Sequence, residues 1–348
     1  MISSIQAHRP LDGLTTFGTR SEADHYAEAG SLDELEAHLA EANANGLPVH
    51  FLGAGANTIA MSRVPGMTIR ITIKGVEMSA APNGDVLVKC GAGEVFDDIV
   101  ARTLKAGIGG LENLSAIPGT VGGAVVQNIG AYGTEVADLI EEVETVEVAT
   151  GTVKVFSAED CDYNYRHSIF KQPENRGKFI VTHVTYRLST VFRPDLNYKA
   201  TRRAVEERLP KDQPLTAADL RRIIIDVRRE KLPEPGIVGS AGSFFMNPVV
   251  SEEKYAEIKQ SHPDAPGYAV ENGVKVPAGW LIETCGWKGR TVGHAGVWEK
   301  QALVLVNRGG ATGKEIQHLS QLICEDVKAH FGIVIKPEVN FVEGGKIV

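Results

Sequence analysis

Residues 117–133 read Ile-Pro-Gly-Thr-Val-Gly-Gly-Ala-Val-Val-Gln-Asn-Ile-Gly-Ala-Tyr-Gly, five glycines among 17 residues with no Lys, Arg, Asp or Glu. Glycine takes positive φ and lets the backbone approach a ligand closely, and consecutive free N–H groups can make a concavity for an anion. The chemistry on offer is capture of a diphosphate by amides alone; the bland alternative is a series of turns in a β-rich region. Gly107-Ile-Gly-Gly and Asn113-Leu-Ser continue the same texture upstream. A second place of this kind is Leu52-Gly-Ala-Gly-Ala-Asn-Thr58, at the end of an expected strand over 49–52. Thr58 occupies the third glycine position of a dinucleotide fingerprint, so a Rossmann site is not indicated. There remains a strand-to-loop turn whose amides could meet a phosphate, with Asn57 as donor, or a plain turn.

Side chains able to do chemistry are few. Tyr163-Asn-Tyr-Arg-His-Ser-Ile-Phe-Lys171 is polar and aromatic, and by itself reads as a loop with Arg166 in solvent. Ser243, between a glycine and two phenylalanines, is a proton donor or a turn serine, with no Gly-x-Ser-x-Gly elbow around it. Asn307-Arg-Gly-Gly-Ala-Thr-Gly-Lys-Glu315 imitates a phosphate-binding P-loop, but Arg308 replaces the first glycine and Glu315 the metal-binding hydroxyl. Thr312 and Glu315 instead form a capping box. Glu338, in Pro337-Glu-Val-Asn-Phe341, could point either way along its strand.

The elements that must position these groups come from an ordinary globular composition: 348 residues, 43% hydrophobic, 23% charged. A net charge of −8 argues against a general nucleic-acid binder. Four dispersed cysteines and ten histidines without metal-ligand spacing give no zinc or other metal site, and free, mostly buried thiols are expected. Neither a signal core nor a membrane-length apolar run is present, so a cytoplasmic protein is expected.

Ser31-Leu-Asp-Glu34 opens a helix with Leu32, Leu35 and Leu39 on one side. Strands are expected over 70–73 and 86–90, a helix over 94–106, a hairpin 142–148 with 153–156, and a strand over 180–188. Thr216 and Asp219 start a helix that Pro233 ends, near an expected domain boundary. A long helix carries Ile316, Leu319, Ile323, Val327 and Phe331 up to Gly332, and a short strand over 337–341 closes the chain.

Several of these stretches together resemble the UDP-N-acetylenolpyruvoylglucosamine reductases, also called UDP-N-acetylmuramate dehydrogenases or MurB. The resemblance lies in Thr16-Phe-Gly18, Leu52-Gly-Ala-Gly-Ala-Asn57, Ile117-Pro-Gly-Thr-Val-Gly-Gly-Ala and Gln127-Asn-Ile-Gly-Ala-Tyr-Gly133. It continues in Tyr165-Arg-His-Ser-Ile-Phe-Lys171, Ala241-Gly-Ser-Phe-Phe-Met-Asn-Pro248, Ala278-Gly-Trp-Leu-Ile282 and Pro337-Glu-Val339, in order over nearly the whole chain. It implies an α+β fold: an FAD-binding module of the vanillyl-alcohol-oxidase (PCMH) type, made of two subdomains, and a C-terminal α+β substrate-binding domain. The implied division is 1–74 for the first subdomain, with the C-terminal strand 336–348 returning to it, 75–230 for the second and 231–335 for the substrate domain.

A monomer without membrane or nucleic-acid partners is expected, and the resemblance implies an enzyme. NADPH would reduce FAD, and FAD the enolpyruvyl ether of UDP-N-acetylglucosamine enolpyruvate, giving UDP-N-acetylmuramate for peptidoglycan. Hydride delivery to C3 leaves negative charge between C2 and the carboxylate, so the site needs a fixed cation and a proton source. By this resemblance Arg166 is the cation, Ser243 the proton donor to C2 and Glu338 an assisting acid. FAD would be held by Gly53, Ala54, Gly55, Ala56, Asn57, Thr58, Ile117, Pro118, Gly119, Thr120, Gly122, Gly123, Asn128, Gly130 and Arg228. Substrate would meet Tyr198, Lys231, Asn247, Tyr268, Lys288 and Gln301, with Tyr198 in the Leu196-Asn-Tyr198 insertion of the longer, type I form.

Departures from the family pattern are Thr15 for Asn, Ala54 and Ala56 for Gly and Ser, and Met246 for a frequent Lys. They put FAD and substrate affinity in question, not identity. Two rivals remain: another flavin oxidoreductase on the same module, and a non-catalytic relative that binds FAD or UDP-sugars. The first would lack the joint set Arg166, Ser243 and Glu338; the second would not turn over.

Overall fold

The structure, a computed structural model, describes residues 4–343 and the short strand Lys346–Ile347. Residues 344, 345 and 348 of the expected C-terminal strand 336–348 lie outside the described residues. Contacts divide the chain into two compact units: 1–9, 23–54 and 65–229 form the larger, and 10–22, 55–64 and 230–348 the smaller.

In the larger unit a four-stranded sheet runs Gln6–Pro10, Glu22–Ala29, Arg63–Ile71, Val49–Leu52, the last two parallel with Val49 opposite Met67. Helix α1 (Leu32–Ala44) begins where expected, with Ser31 Oγ accepting the Glu34 N–H. The Glu34 carboxylate reaches back one residue further than a reciprocal box requires, to the Gly30 N–H at 2.8 Å. A second, five-stranded antiparallel sheet has the order Val153–Ser157, Ile140–Glu147, Phe179–Ser189, Asp85–Gly91, Val76–Ala80. The expected hairpin is there, with Val143 opposite Phe156 and Gly151 at φ +69° in the connection.

Helix α2 (Phe96–Lys105) buries Phe96, Ile99 and Val100. Helix α3 (Val121–Gln127) arises inside the glycine-rich run, where the sequence offers an anion cradle or a series of turns, and packs on the strands Phe179–Ser189 and Asp85–Gly91. Val121, Ala124 and Val125 supply its buried face, and tertiary burial overrides the poor helix propensity of Gly122 and Gly123. The helices α4 (Lys199–Arg208) and α5 (Ala217–Lys231) share a small core of Ala204, Val205, Leu220, Ile223, Ile224 and Val227.

In the smaller unit the sheet order is Gly239–Ser243, Val304–Asn307, Ala295–Val297, Thr291–Val292, all antiparallel. Val249–Val250, Gly273–Lys275 and Tyr268–Val270 form a small separate sheet. Asn340–Glu343 pairs in parallel with Thr58–Ala60, Phe341 opposite Ile59. Around these lie α6 (Glu252–Ser261), α7 (Ala278–Thr284) and α8 (Gly313–Phe331), and α8 buries Ile316, Leu319, Ile323, Val327 and Phe331 as its spacing requires. The four cysteines are free thiols, Cys90 and Cys161 buried, Cys285 and Cys324 partly so. Among the described residues no helix is long and apolar enough to cross a membrane.

The α8 capping box is complete: Glu315 N donates to Thr312 Oγ1 at 3.2 Å and Thr312 N to Glu315 Oε2 at 2.9 Å. The Thr312 N–H first, and His294 with it, hold the Glu315 carboxyl down to about 2. Its folded pKa is thus depressed, so the ionised carboxylate stabilises the fold above the ordinary carboxylate value of about 4.3 and the gain is lost as pH falls toward about 2. Thr312→Ala should lower the unfolding free energy by about 1 kcal/mol. Glu315→Gln should flatten the loss of stability between about pH 5 and pH 3. Urea midpoints across that range check both.

Candidate active site

In the larger unit the glycine stretch is set by close approach. A Cβ at Gly53 would lie 2.7 Å from Thr120 Oγ1, and one at Gly122 would lie 2.9 Å from Ala92 Cβ. Thr120 caps α3 by accepting the Gly123 N–H, and the Gly122 N–H is taken by Ala92 O at 2.9 Å. Immediately before this, Ala116 stands at φ +59°, its N–H donated to Asp97 Oδ1 at 2.6 Å. Gly119, at φ +144°, faces open space. Among the described residues the N–H groups of Ile117 and Gly119 meet no protein acceptor. Pro118, lacking an N–H, sits exposed between them.

Asp97 also takes both guanidinium nitrogens of Arg221, at 2.6 and 2.9 Å, and so ties α5 to the strained residue before the loop. Burial raises the Asp97 pKa, but the Arg221 hydrogen bonds, the Ala116 N–H and the fields of Arg221 and Arg228 outweigh it and hold the carboxyl below its usual range. Arg228, one helical stretch further on, is half-buried and hydrogen-bonded to the Tyr132 hydroxyl; burial depresses it, and Tyr132 and Asp97 oppose this. Tyr132 in turn meets Tyr198 edge-on, ring centroids 6.2 Å apart. Asn113, 2% exposed, donates to the carbonyls of Tyr132 and Asp195 and fastens the segment leading to Tyr198, itself 47% exposed.

Arg166 is not a solvated loop residue. Its guanidinium donates to Asn128 O at 3.3 Å and Gly130 O at 2.8 Å, and its backbone holds φ +55°. Asn128 is fully buried and itself left-handed, φ +43°. Its carboxamide bonds Asn164 O, Glu135 and the Ala137 N–H, so it shapes the Arg166 loop from inside the protein. Ser168 Oγ donates to Val126 O, and Lys171 Nζ to Gln127 Oε1 and Arg166 O. The end of α3 and the 164–171 loop are one bonded assembly.

In the smaller unit the turn continues through Gly55 at φ +61°, where a Cβ would lie 2.6 Å from Leu14 O and 2.8 Å from Thr15 Cα. Thr16 N donates to Gly55 O, and Thr15 Oγ1 is buried without a partner. Among the described residues the N–H groups of Ala54, Gly55 and Ala56 find no protein acceptor. Asn57 Nδ2 donates to Glu338 O at 3.2 Å and Asn57 O accepts the Asn340 N–H, after which Thr58 enters the strand. Glu338 N donates to Phe244 O at 2.8 Å, and Phe245 bridges Pro337. Ser243 and Glu338, far apart in sequence, therefore lie on adjoining segments above the buried rings of Phe244 and Phe245. Ser243 is exposed at the end of its strand, opposite Val304, not buried and not in a turn. Among the described residues its hydroxyl has no protein partner.

The substrate candidates divide. Asn247 Oδ1 accepts the Ala278 N–H at 2.9 Å, and a Cβ at Gly279 would lie 3.0 Å from Gln301 Oε1, so Asn247 and Gln301 meet the start of α7. Tyr268 and Val249 flank Lys275 in the small sheet. Lys288 is paired with Glu283 at 2.8 Å, and Lys231 is exposed at the end of α5. Tyr198 belongs to the larger unit. Asp97, Asn113, Tyr132 and Lys171 were not singled out from sequence; no local signal marks partners so distant in the chain.

Within the larger unit the open amides of Ile117 and Gly119, and within the smaller those of Gly55 and Ala56, are each of the kind that meets an anionic ligand by backbone. Residues 23–157 match the model of the FAD binding domain, which defines the class: an α+β protein built on a flavin-binding module. Residues 234–342 match that of the UDP-N-acetylenolpyruvoylglucosamine reductase C-terminal domain. The chain is 44% identical over 328 residues to UDP-N-acetylenolpyruvoylglucosamine reductase of Bacteroides fragilis, covering 94% of this chain and 97% of that one. It is 40% identical to that of Pseudomonas aeruginosa over 98% of this chain and 99% of the other. A crystal structure of the reductase (MurB) from Thermus caldophilus aligns at TM-score 0.65 and 25% identity, over 97% of this chain and 98% of that one. The chain belongs to the UDP-N-acetylenolpyruvoylglucosamine reductase family. The expected α+β fold, an FAD-binding module followed by a C-terminal domain, is the one it has.

Gly55→Ala should destabilise the protein by about 1–3 kcal/mol, because an L side chain there meets both a left-handed φ and the Leu14 carbonyl. Gly13→Ala, with open space around it, should stay within about 0.5 kcal/mol of the parent. Chemical denaturation of the two variants in parallel distinguishes them.

Proposed function

We infer that this chain reduces UDP-N-acetylglucosamine enolpyruvate to UDP-N-acetylmuramate with NADPH as reductant and FAD as cofactor, in the synthesis of peptidoglycan. What carries the reading is that the likeness covers both the FAD-binding and the C-terminal portions, over 94% of the chain, and not the flavin module alone. The reaction would take place in the cytoplasm, where nucleotide-linked precursors and NADPH are available.

FAD, when bound, would accept hydride from NADPH and deliver it to C3 of the enolpyruvyl group. The open amides of Ile117 and Gly119 would meet its diphosphate, with Arg228 as a fixed cation of the same unit, and the 53–58 turn would supply further backbone donors to the cofactor. Arg166 would bind the substrate carboxylate; its planar, permanently charged fork also stabilises the charge that spreads from C2 toward that carboxylate. Its backbone-anchored guanidinium supports this, because such a cation does not reorganise as charge develops. Ser243 would give its proton to C2; an exposed hydroxyl with no partner among the described residues is available for the transfer. Glu338, on the adjoining segment, would assist as acid or by stabilising the enol. Asn247, Gln301, Tyr268, Lys231 and Lys288 would serve the UDP-sugar, and Tyr198 would close on it.

The test is anaerobic flavin absorbance. NADPH should bleach the visible band, and UDP-N-acetylglucosamine enolpyruvate should restore it. In Ser243→Ala the bleaching should persist within about twofold while the recovery slows by about 10²–10⁴-fold. Bleaching without recovery in the parent protein would discard this substrate and leave another flavin oxidoreductase. A protein that takes up no flavin would sink the enzyme reading.

A further inference from the structure

Lys171 has no part in the chemistry above, yet it holds the residue that does. Arg166 sits at φ +55°, a left-handed conformation that residues with a Cβ seldom keep without external constraint. Lys171 Nζ donates to the Arg166 carbonyl at 2.7 Å and to Gln127 Oε1, at the last residue of α3, at 2.9 Å. An ammonium donating to a carbonyl is a charge-assisted bond, stronger and more directional than an exchange with water. The constraint falls on the peptide that turns over at Arg166, five residues back along the same loop. On the other side of that peptide, Asn128 Nδ2 fixes Asn164 O, and the His167 N–H closes onto Asn164 O at 2.8 Å. The guanidinium then reaches Asn128 O and Gly130 O, both immediately beyond α3. The backbone carbonyl of Arg166 and its side chain are thus tied to the same helix end by separate bonds, Lys171 making the first.

We propose that Lys171 is a positioning residue: by fixing the Arg166 carbonyl it maintains the left-handed peptide and so the aim of the guanidinium. Its kinetic consequence rests on the reading of Arg166 as the cation for the substrate carboxylate; its structural consequence does not. Lys171→Met keeps the length and removes the donor. In the FAD-loaded protein, bleaching by NADPH should stay within about twofold of the parent, and recovery with the enolpyruvyl substrate should slow about 10–100-fold. Lys171→Arg, which restores a charged donor, should recover most of that loss. In an Arg166→Ala background, Lys171→Met should add less than about twofold, since a residue acting through another is silent once the other is gone.

A crystal structure of Lys171→Met should show residue 166 out of the left-handed region and its guanidinium off Gly130 O. The proposal is overturned if φ at 166 stays positive in that structure, if the two substitutions multiply, or if bleaching and recovery fall together. If Arg166→Ala alone recovers at the parent rate, the carboxylate reading fails and the Lys171→Met structure alone decides this one. If Lys171→Met does not accumulate as folded protein, Lys171→Leu, which also removes the donor, takes its place with the same criteria.

Discussion

Backbone packed so closely on neighbouring side chains that a methyl group has no room is the constraint on which the larger unit depends. Gly53 lies against the Thr120 hydroxyl and Gly122 against Ala92, and between these approaches the 117–120 loop keeps the Ile117 and Gly119 amides without an acceptor among the described residues. The same closeness seats α3 on its two strands, and the C-terminal turn of α3 then presents Val126 O, Gln127 and the left-handed Asn128 to the loop that carries Arg166. A run of glycines that on paper offers only an anion cradle therefore also builds the platform for a cation. Loss of one glycine in it would displace both.

The smaller unit solves a related problem with a side chain. Asn57 links the turn at 54–56 to the segment bearing Glu338 through two bonds, one from its carboxamide and one to its own carbonyl. Glu338 is then bonded through its N–H to Phe244, the neighbour of Ser243. Turn, glutamate and serine thus share one short hydrogen-bonded path over the packed rings of Phe17, Phe244, Phe245 and Phe341. Phe244 and Phe245 are both buried although they are consecutive.

What the sequence disclosed follows from the range of the forces involved. The Thr312–Glu315 box, the Ser31 cap, the 149–151 hairpin and the apolar stripe of α8 are encoded within a few residues and were legible. Helix α3 was not, since Gly122 and Gly123 argue against a helix and only burial against distant strands favours it. The strand expected over 70–73 lies at Arg63–Ile71, and its pairing with the distant Val49–Leu52 through Met67–Arg70 left no local mark in the sequence. Arg166 read alone as a solvated residue, because the carbonyls that grip it belong to residues 128 and 130. Only the joint pattern of motifs singled it out. The contribution of 10–22 and 55–64 to the unit formed by 230–348 left no trace in composition or periodicity.

That last arrangement bears on how the molecule comes to be folded. Thr58–Ala60 takes Asn340–Val342 as its parallel partner, and Asn57 and Glu338 are 281 residues apart. During synthesis the chain emerges from its N-terminal end, so the early segments of the smaller unit wait, with their strand edge unsatisfied, until nearly all the rest has been made. Closing so long a loop is slow compared with the local pairing of hairpins in the larger unit. The larger unit can thus gather its own strands first, and the turn at 54–56 becomes fixed on its smaller-unit side only when residues 338–342 arrive. Ribosome-bound chains halted before residue 338 would accordingly carry a folded first sheet and an unfinished turn.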